Sequence, residues 1–306
     1  MRISITILLC AALGAQTTPT FRADISLVHV DAEVIEDGRV LSGFGKDDFR
    51  VLDEGKPQPL LHFSAGDTAL DLILLFDISG SMGRVVAAVS AAAQQGLEEL
   101  RPGDRVCVMV FNSRSREVAG FTEDLTAVQK TIQEGVLNLP FGGGTRIQDA
   151  VDSAALRFMR EPRSERRRAV LVITDNIGLR TRRDQPVIRD FWEADALLSG
   201  LLVSDKKVRR VHTVRLILAP DAMLLESGMK GIAARTGGDA IDTQDAGTAF
   251  QESMRRIRSR YSLYYAQPPG QPGSTRSIKV ELTGEAARQH PKARVRARTG
   301  YVLPKA

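Results

Sequence analysis

The stretch LILLFDISGSMG, residues 72–83, begins as an unbroken apolar run from Leu72 to Phe76 and ends in Asp77, Ser79 and Ser81 set among glycines. A strand apolar on both of its faces is buried on both, which is the signature of a parallel sheet covered by helices. The chain on either side agrees with that reading. Helical periodicity follows over 82–100, with Val85, Val86, Val89, Ala93 and Leu97 on one side, and then a strand over 106–111. Further helices are predicted over 125–137, 146–159, 191–202, 224–235 and 246–259, and further strands over 169–174 and 214–219. This alternation predicts an α/β domain with a Rossmann-like, doubly wound, mostly parallel sheet.

The two ends of the chain are written differently. DISLVHVDAEVI, residues 24–35, alternates apolar Val28, Val30, Ala32 and Val34 with polar His29, Asp31 and Glu33, the period of a half-buried strand. Short hairpin-like pieces follow, interrupted by Pro57 and Pro59. The tail returns to strand patterns at 261–265, in SIKVEL and in RVRARTGYVL, beyond a QPPGQPG loop. Pieces this small do not fold alone. Chain ends commonly lie close together, so the terminal segments are expected to pair into a small accessory β subdomain. The expected organisation is therefore a leader at 1–15, an amino-terminal β segment at 24–68, the α/β domain at 69–260, and a carboxyl-terminal β segment at 261–306 that packs on 24–68.

MRISITILLCAALGAQ reads as a secretory signal peptide: Arg2, a short apolar core, then small residues at Gly14 and Ala15. That core is shorter than the about 20 residues needed to cross a bilayer. The expectation is a secreted or periplasmic protein with no integral membrane segment after cleavage. Cleavage removes Cys10 and leaves Cys107 alone in RVCVMVF, as a buried core residue. The net charge is +5, but the arginines are scattered and aromatics make up only 5% of the chain, which argues against nucleic acid as a partner. The run Arg166 to Arg168 is expected to be a solvated edge at the far end of the sheet.

In a doubly wound sheet, ligands bind beyond the carboxyl ends of the strands. Asp77, Ser79 and Ser81 stand at such an end, and so does Asp175, after AVLVIT. GGGTRIQDA brings Thr145 to the start of a helix behind a glycine loop. Three hydroxyls and two carboxylates form an all-oxygen set suited to a hard divalent cation, Mg2+ or Mn2+. Because hydroxyls add no charge, the ion stays electron-poor and a partner's carboxylate can complete its shell. Capping explains part of the pattern: short polar side chains cap helices, and Thr145 with Gln148 fits a capping box. A cap alone accounts for neither Asp175 nor the whole set.

These residues carry a resemblance. DISGS, Thr145 in GGGTRIQDA and Asp175 in VITDN resemble, in order and in secondary structure, the metal-ion-dependent adhesion site of von Willebrand factor type A domains. The likeness spans roughly residues 71–259. The flanks DDFRVLDEGKPQPLLHF and RTGYVLP resemble exported bacterial proteins classed as related to that family. The resemblance implies that Ser79, Ser81 and Thr145 ligate the ion directly, with Asp77 and Asp175 close by or acting through water, and that a protein ligand presenting Asp or Glu completes the shell. It implies a Mg2+-dependent protein-binding or adhesion module. The alternative is an extracytoplasmic structural or assembly module in which the ion only stabilises. The sequence departs from the family at Asn176, where glycine is usual; asparagine tolerates left-handed backbone, so the turn is expected to survive.

Arg180, Arg182 and Arg183 follow Asp175 and are candidate rim residues that select an acidic partner, against the plainer reading of a solvated loop. An enzyme is not expected. His29, His62, His212 and His290 lie away from the strand tips, so no Ser-His-Asp arrangement or general base is assigned and there are no catalytic residues. PFGGGTR lacks the ending of a nucleotide-phosphate loop.

Overall fold

The computed structural model describes residues 26–162, 164–179, 183–203, 224–226 and 228–304. Five strands come first: β1 (Leu27–Glu36), β2 (Arg39–Leu41), β3 (Phe49–Asp53), β4 (Lys56–Gln58) and β5 (Leu60–Ala65). The middle holds β6 (Leu70–Asp77), α1 (Gly83–Leu97), β7 (Arg105–Phe111), β8 (Ser115–Thr122) and α2 (Leu125–Lys130), which continues as a π turn over Thr131–Val136. After it come α3 (Ile147–Met159), β9 (Arg167–Thr174), β10 (Ile177–Leu179), α4 (Asp184–Glu193), β11 (Ala196–Val203), β12 (Leu224–Glu226), α5 (Met229–Thr236), β13 (Ala240–Thr243) and α6 (Ala246–Arg258). The tail is β14 (Tyr261–Ala266), β15 (Thr275–Leu282), α7 (Gly284–Gln289), β16 (Arg294–Ala297) and β17 (Gly300–Val302).

Every residue of β6 is buried, as the apolar run requires. It lies inside a six-stranded sheet of order β13-β11-β9-β6-β7-β8, parallel throughout except for the antiparallel edge strand β8. Leu72, Leu74 and Phe76 face Val86, Val89 and Ala93 of α1 and Phe250 and Met254 of α6. Ile73 and Leu75 face α3 and α4 through Ile147, Val151, Phe158, Ile188 and Phe191. Helices α1 and α6 approach so closely that a side chain at Gly96 would collide with the Phe250 ring. The α/β expectation therefore holds, with β8 as an antiparallel addition.

Three expectations are corrected. The helix expected over 191–202 is instead the end of α4 followed by β11. Ala196–Val203 is buried on both faces, and such a run has no period that separates strand from helix. Asp195, in left-handed backbone (φ 52°), ends the helix. The helix expected over 224–235 is strand β12, then α5, which begins after Gly228 in left-handed backbone (φ 71°). The arginine run 166–168 is not a solvated edge: Arg167 is fully buried and Arg168 is buried. The strand expected over 214–219 and the leader lie outside the described residues. No helix among the described residues is long and apolar enough to cross a membrane. Cys107 is buried, and burial pushes its thiol up to about 12, so it is inert at neutral pH.

The terminal segments pair with each other. Strand β1 runs antiparallel to β14, from Leu27 opposite Ala266 to Ala32 opposite Tyr261, and also to β16. Strand β3 runs antiparallel to β15. The sheet β16-β1-β14-β5, with β2 on β1, and the sheet β17-β15-β3-β4 share one core of Val30, Val34, Val51, Leu263, Ile278 and Val280. Buried Asp53 ties the two sheets together, accepting from the hydroxyls of Tyr265 (2.8 Å) and Tyr301 (2.9 Å) and from Arg276 (2.7 Å).

Arg167 joins this sandwich to the α/β domain. From the first position of β9 it donates to Asp31 of β1 at 2.6 Å, and its other nitrogens donate to the carbonyls of Ile257 (2.7 Å) and Arg258 (3.2 Å) at the end of α6. It thus neutralises a largely covered carboxylate, 11% exposed, and satisfies the orphan carbonyls of a helix terminus at once. His29 lies beside it, 3.5 Å from Asp31 and 3.4 Å from Asp195. Burial alone would push the imidazole down, but the two carboxylates outweigh it and hold it at about 9.

Arg167→Met is expected to destabilise the protein by about 3–5 kcal/mol in urea unfolding, because Asp31, largely covered, and the carbonyls at the end of α6 lose their partner. The His29 shift makes stability depend on pH. An imidazole raised in the folded state contributes stability that is fully present below its ordinary value of 6.5 and is lost as pH rises through about 9. Wild type is therefore expected to lose on the order of 3 kcal/mol more than His29→Gln between pH 6.5 and 9.5. Urea titrations across that range measure the difference.

Candidate functional site

Chain order turns at β6. From there the chain passes to β7 on one side, and later returns to β9 on the other. The crevice at the carboxyl ends of β6 and β9 is the switch point where open α/β sheets place ligands. Asp77 is the last residue of β6, and Thr174 is the last of β9.

Asp77 is fully buried and tightly held. One carboxylate oxygen accepts from the backbone N–H of Ser79 at 2.8 Å, and the other accepts from the Thr174 hydroxyl at 2.7 Å. Burial pushes Asp77 up to about 6, against those hydrogen bonds, and the neighbouring Asp175 carboxylate adds to the rise. The loop then turns, with the Met82 N–H donating to the Ser79 carbonyl at 3.0 Å. That turn sets the hydroxyls of Ser79 and Ser81 3.4 Å apart, Ser79 buried and Ser81 exposed. The Ser81 hydroxyl donates to Asp175 at 2.6 Å. Asp77, Ser79, Ser81 and Asp175 are thus joined in one chain of contacts. Asp175 also accepts from the N–H of Ile177 at 3.0 Å, which aims its other oxygen along its own loop.

Thr145 arrives on the glycine loop, half-buried. The loop is fixed from two sides. Asn112, just beyond β7, donates to the Gly142 carbonyl at 3.0 Å, and its own carbonyl accepts from Arg146 at 3.0 Å. On the other side the Leu179 N–H donates to the Thr145 carbonyl at 2.9 Å. The backbones pass so closely there that a β-carbon on Gly178 would stand 2.7 Å from the Thr145 oxygen. Thr145 does not cap α3: Arg146 occupies the cap position, with no side-chain cap bond. Gln148 instead donates to Asp184 at 2.7 Å. The capping-box part of the sequence reading is therefore corrected, and the Thr145 hydroxyl is not committed to the helix.

Asn176 has φ 60°, so the left-handed turn expected from its identity is present, with asparagine in place of the usual glycine. Its N–H donates to the Thr174 hydroxyl at 3.1 Å. Arg183 is exposed, immediately before α4, while Arg180 and Arg182 lie outside the described residues. His29 and His62 line a cleft of about 900 Å³ between the sandwich and the amino ends of the strands, away from Asp77. His290 contacts Glu36 in the sandwich.

Sequence reasoning missed Thr174, Asn112 and Gly178. Thr174 had a signal, a hydroxyl ending an otherwise apolar strand; Asn112 acts through its side-chain amide on a carbonyl thirty residues on, and Gly178 through the space it leaves, and neither leaves a local pattern.

A family model for the von Willebrand factor type A domain matches residues 72–178, the segment from β6 through the switch-point loops. Residues 72–178 are thus identified as a von Willebrand factor type A domain. No curated protein matches the chain. Among solved structures, proximal thread matrix protein 1 from the mussel byssus, described with a zinc-occupied MIDAS motif, is 15% identical with a TM-score of 0.52. That match covers 68% of this chain and 50% of the mussel protein. A von Willebrand factor type A protein from Catenulispora acidiphila is 12% identical, covering 93% of this chain and 76% of that one, with a TM-score of 0.47. An aerotolerance-related membrane protein from Bacteroides fragilis is 16% identical, covering 62% and 98%, with a TM-score of 0.47. At 15% identity the likeness to the mussel protein is one of fold alone.

Gly178→Ala is expected to separate the Thr145 loop from β10 and to lower stability by about 1–3 kcal/mol. Asn176→Gly is expected to stay within about 0.5 kcal/mol of wild type, since glycine takes φ 60° at no steric cost. Thermal unfolding of the two variants side by side checks both.

Proposed function

We propose that this von Willebrand factor type A domain is a divalent-metal-dependent protein-binding module, with Mg2+ or Mn2+ as its ion. Ser79, Ser81 and Thr145 supply hydroxyl ligands, and Asp77 and Asp175 act beside the ion or through water. An Asp or Glu carboxylate of a partner protein completes the shell. The observation that carries this reading is the state of Asp77, a desolvated carboxylate raised to about 6 and set near a second carboxylate, with serine hydroxyls between them. Such a pair is costly to ionise without a cation and favourable with one. The donor set is all oxygen and carries only two carboxylates, which suits a hard ion that keeps appetite for an external acid. The zinc-occupied motif described for the mussel protein supports a divalent ion on this fold. Arg183, exposed immediately before α4, belongs to the rim that faces an acidic partner. The protein acts outside the cytoplasm, exported by the leader at its amino terminus. No catalytic role is assigned.

Calorimetric titration of Mg2+ and Mn2+ into chelator-treated protein is expected to show saturable binding that Asp77→Ala abolishes and that Ser79→Ala or Thr145→Ala weakens at least about tenfold, with unfolding midpoints close to wild type. Wild-type protein that takes up neither ion would overturn the reading.

A further inference from the structure

The carboxyl end of the sheet is ringed by arginines, most of which have no acidic partner among the described residues. Arg84 stands in the first turn of α1, three residues after Ser81. Arg114 and Arg116 belong to the β7–β8 hairpin, whose Asn112 holds the glycine loop; Arg116 lies opposite Val110, near the end of β7. Arg146 follows Thr145 directly, and Arg183 precedes α4. All five are exposed. Arg84, Arg114, Arg116 and Arg183 have no acidic partner among the described residues, and Arg146 only a long contact of 3.8 Å with Asp149. The acids on neighbouring elements at this end are already engaged. Asp184 accepts from Gln148, Asp242 pairs with Lys230 at 2.6 Å, and Asp245 caps α6.

The placement runs against helix stability. A cation in the first turn of a helix opposes the helix dipole, and a cap position without a side-chain acceptor forgoes about 1 kcal/mol. Yet α1, α3 and α4 begin at Met82, Arg146 and Arg183 with no side-chain cap bond, and arginine stands at the cap of α3 and α4 and in the first turn of α1, with Asp149 and Asp184 in the first turns of α3 and α4; α2 and α6 are capped by Asp124 and Asp245. Positive charge is concentrated where three helix N-termini already make the potential positive.

Resting on the metal-dependent reading, we infer that the partner presents an acidic stretch rather than a single acid. One carboxylate is aimed at Ser79, Ser81 and Thr145, and its acidic neighbours meet Arg84, Arg114, Arg116, Arg146 and Arg183. Encounter is then driven by the arginines and does not need the ion, while the ion fixes the register. Rim charges act mainly on association and fade with salt, whereas a contact at the centre of the site persists.

The test is fluorescence anisotropy of a labelled hexa-aspartate peptide, with dextran sulfate as a second polyanion, on wild type, Arg84→Glu/Arg116→Glu and Ser79→Ala. Each is measured with Mg2+ and with chelator, at low and high salt. The expected result has three parts. The arginine variant binds the peptide at least about tenfold more weakly at 50 mM salt, both with Mg2+ and with chelator, and the deficit falls below about threefold at 0.5 M. Ser79→Ala keeps the chelator-resistant binding and loses the increment from Mg2+. Dextran sulfate gains nothing from Mg2+. Peptide affinity unchanged in the arginine variant overturns the inference. So does a wild type that binds dextran sulfate as tightly as the peptide with no Mg2+ increment for either, because the face is then a general polyanion surface. Magnesium calorimetry on the same proteins separates the failures: loss of ion binding in wild type defeats the metal reading, while the chelator arm still decides the arginines.

Discussion

The carboxylate of Asp77 is the point on which the carboxyl end of this fold turns. It is the last residue of a strand buried on both faces, and it cannot reach bulk water. Its two oxygens are therefore spoken for by neighbours on different elements, the Ser79 N–H of the following loop and the Thr174 hydroxyl of β9. Those bonds fasten the tips of the two strands that flank the switch point and fix the turn presenting Ser79 and Ser81. They do not offset the burial, which leaves Asp77 harder to ionise than an ordinary aspartate. A group held in place but under-compensated is suited to a visiting cation, because the protein has already met the cost of ordering it.

The amino end of the same strands solves the same problem differently. There the buried carboxylates Asp71 and Glu33 and the largely covered Asp31 are met by arginines: Arg167 on Asp31, Arg105 and Arg166 on Asp71, Arg256 and Arg296 on Glu33. The result is a closed ionic layer that fastens the sandwich to the α/β domain and terminates α6 through Arg167. Removing one member of such a layer exposes the cost of burying the other, so its members act as a unit. The two halves of the chain, separated in sequence by the whole α/β domain, are joined by β1 against β14 and by this layer.

What the sequence disclosed followed from how local the underlying physics is. The burial of β6, the α/β alternation, the half-buried strand at β1 and the left-handed turn at Asn176 each depend on a few adjacent residues, and each was legible. The contacts among Asp77, Ser79, Ser81 and Asp175 followed because strand tips converge in this topology. Ala196–Val203 was misread because a segment buried on both sides carries no period. Arg167 was misread because a charged residue looks solvated unless its partners are known, and those partners, Asp31 and the carbonyls at the end of α6, lie about a hundred residues away on either side. Gly178 escaped for a related reason: its role is the space it leaves for the Thr145 carbonyl.

The arginine content acquires meaning only when sorted by its place in the fold. A net charge of +5 spread through the sequence argues only against nucleic acid. In the structure the arginines of the amino end are largely consumed, by Asp31, Asp71, Glu33, Asp104 and Asp195. Those around Ser79, Ser81 and Thr145 are not, so the uncompensated charge is concentrated at one face. A protein that only needed solubility could place that charge anywhere, and placing it at three uncapped helix starts costs helix stability. The charge and the oxygen site share the one face where the strand tips converge, so an acidic ligand arriving at the crevice meets attraction before it meets any ion.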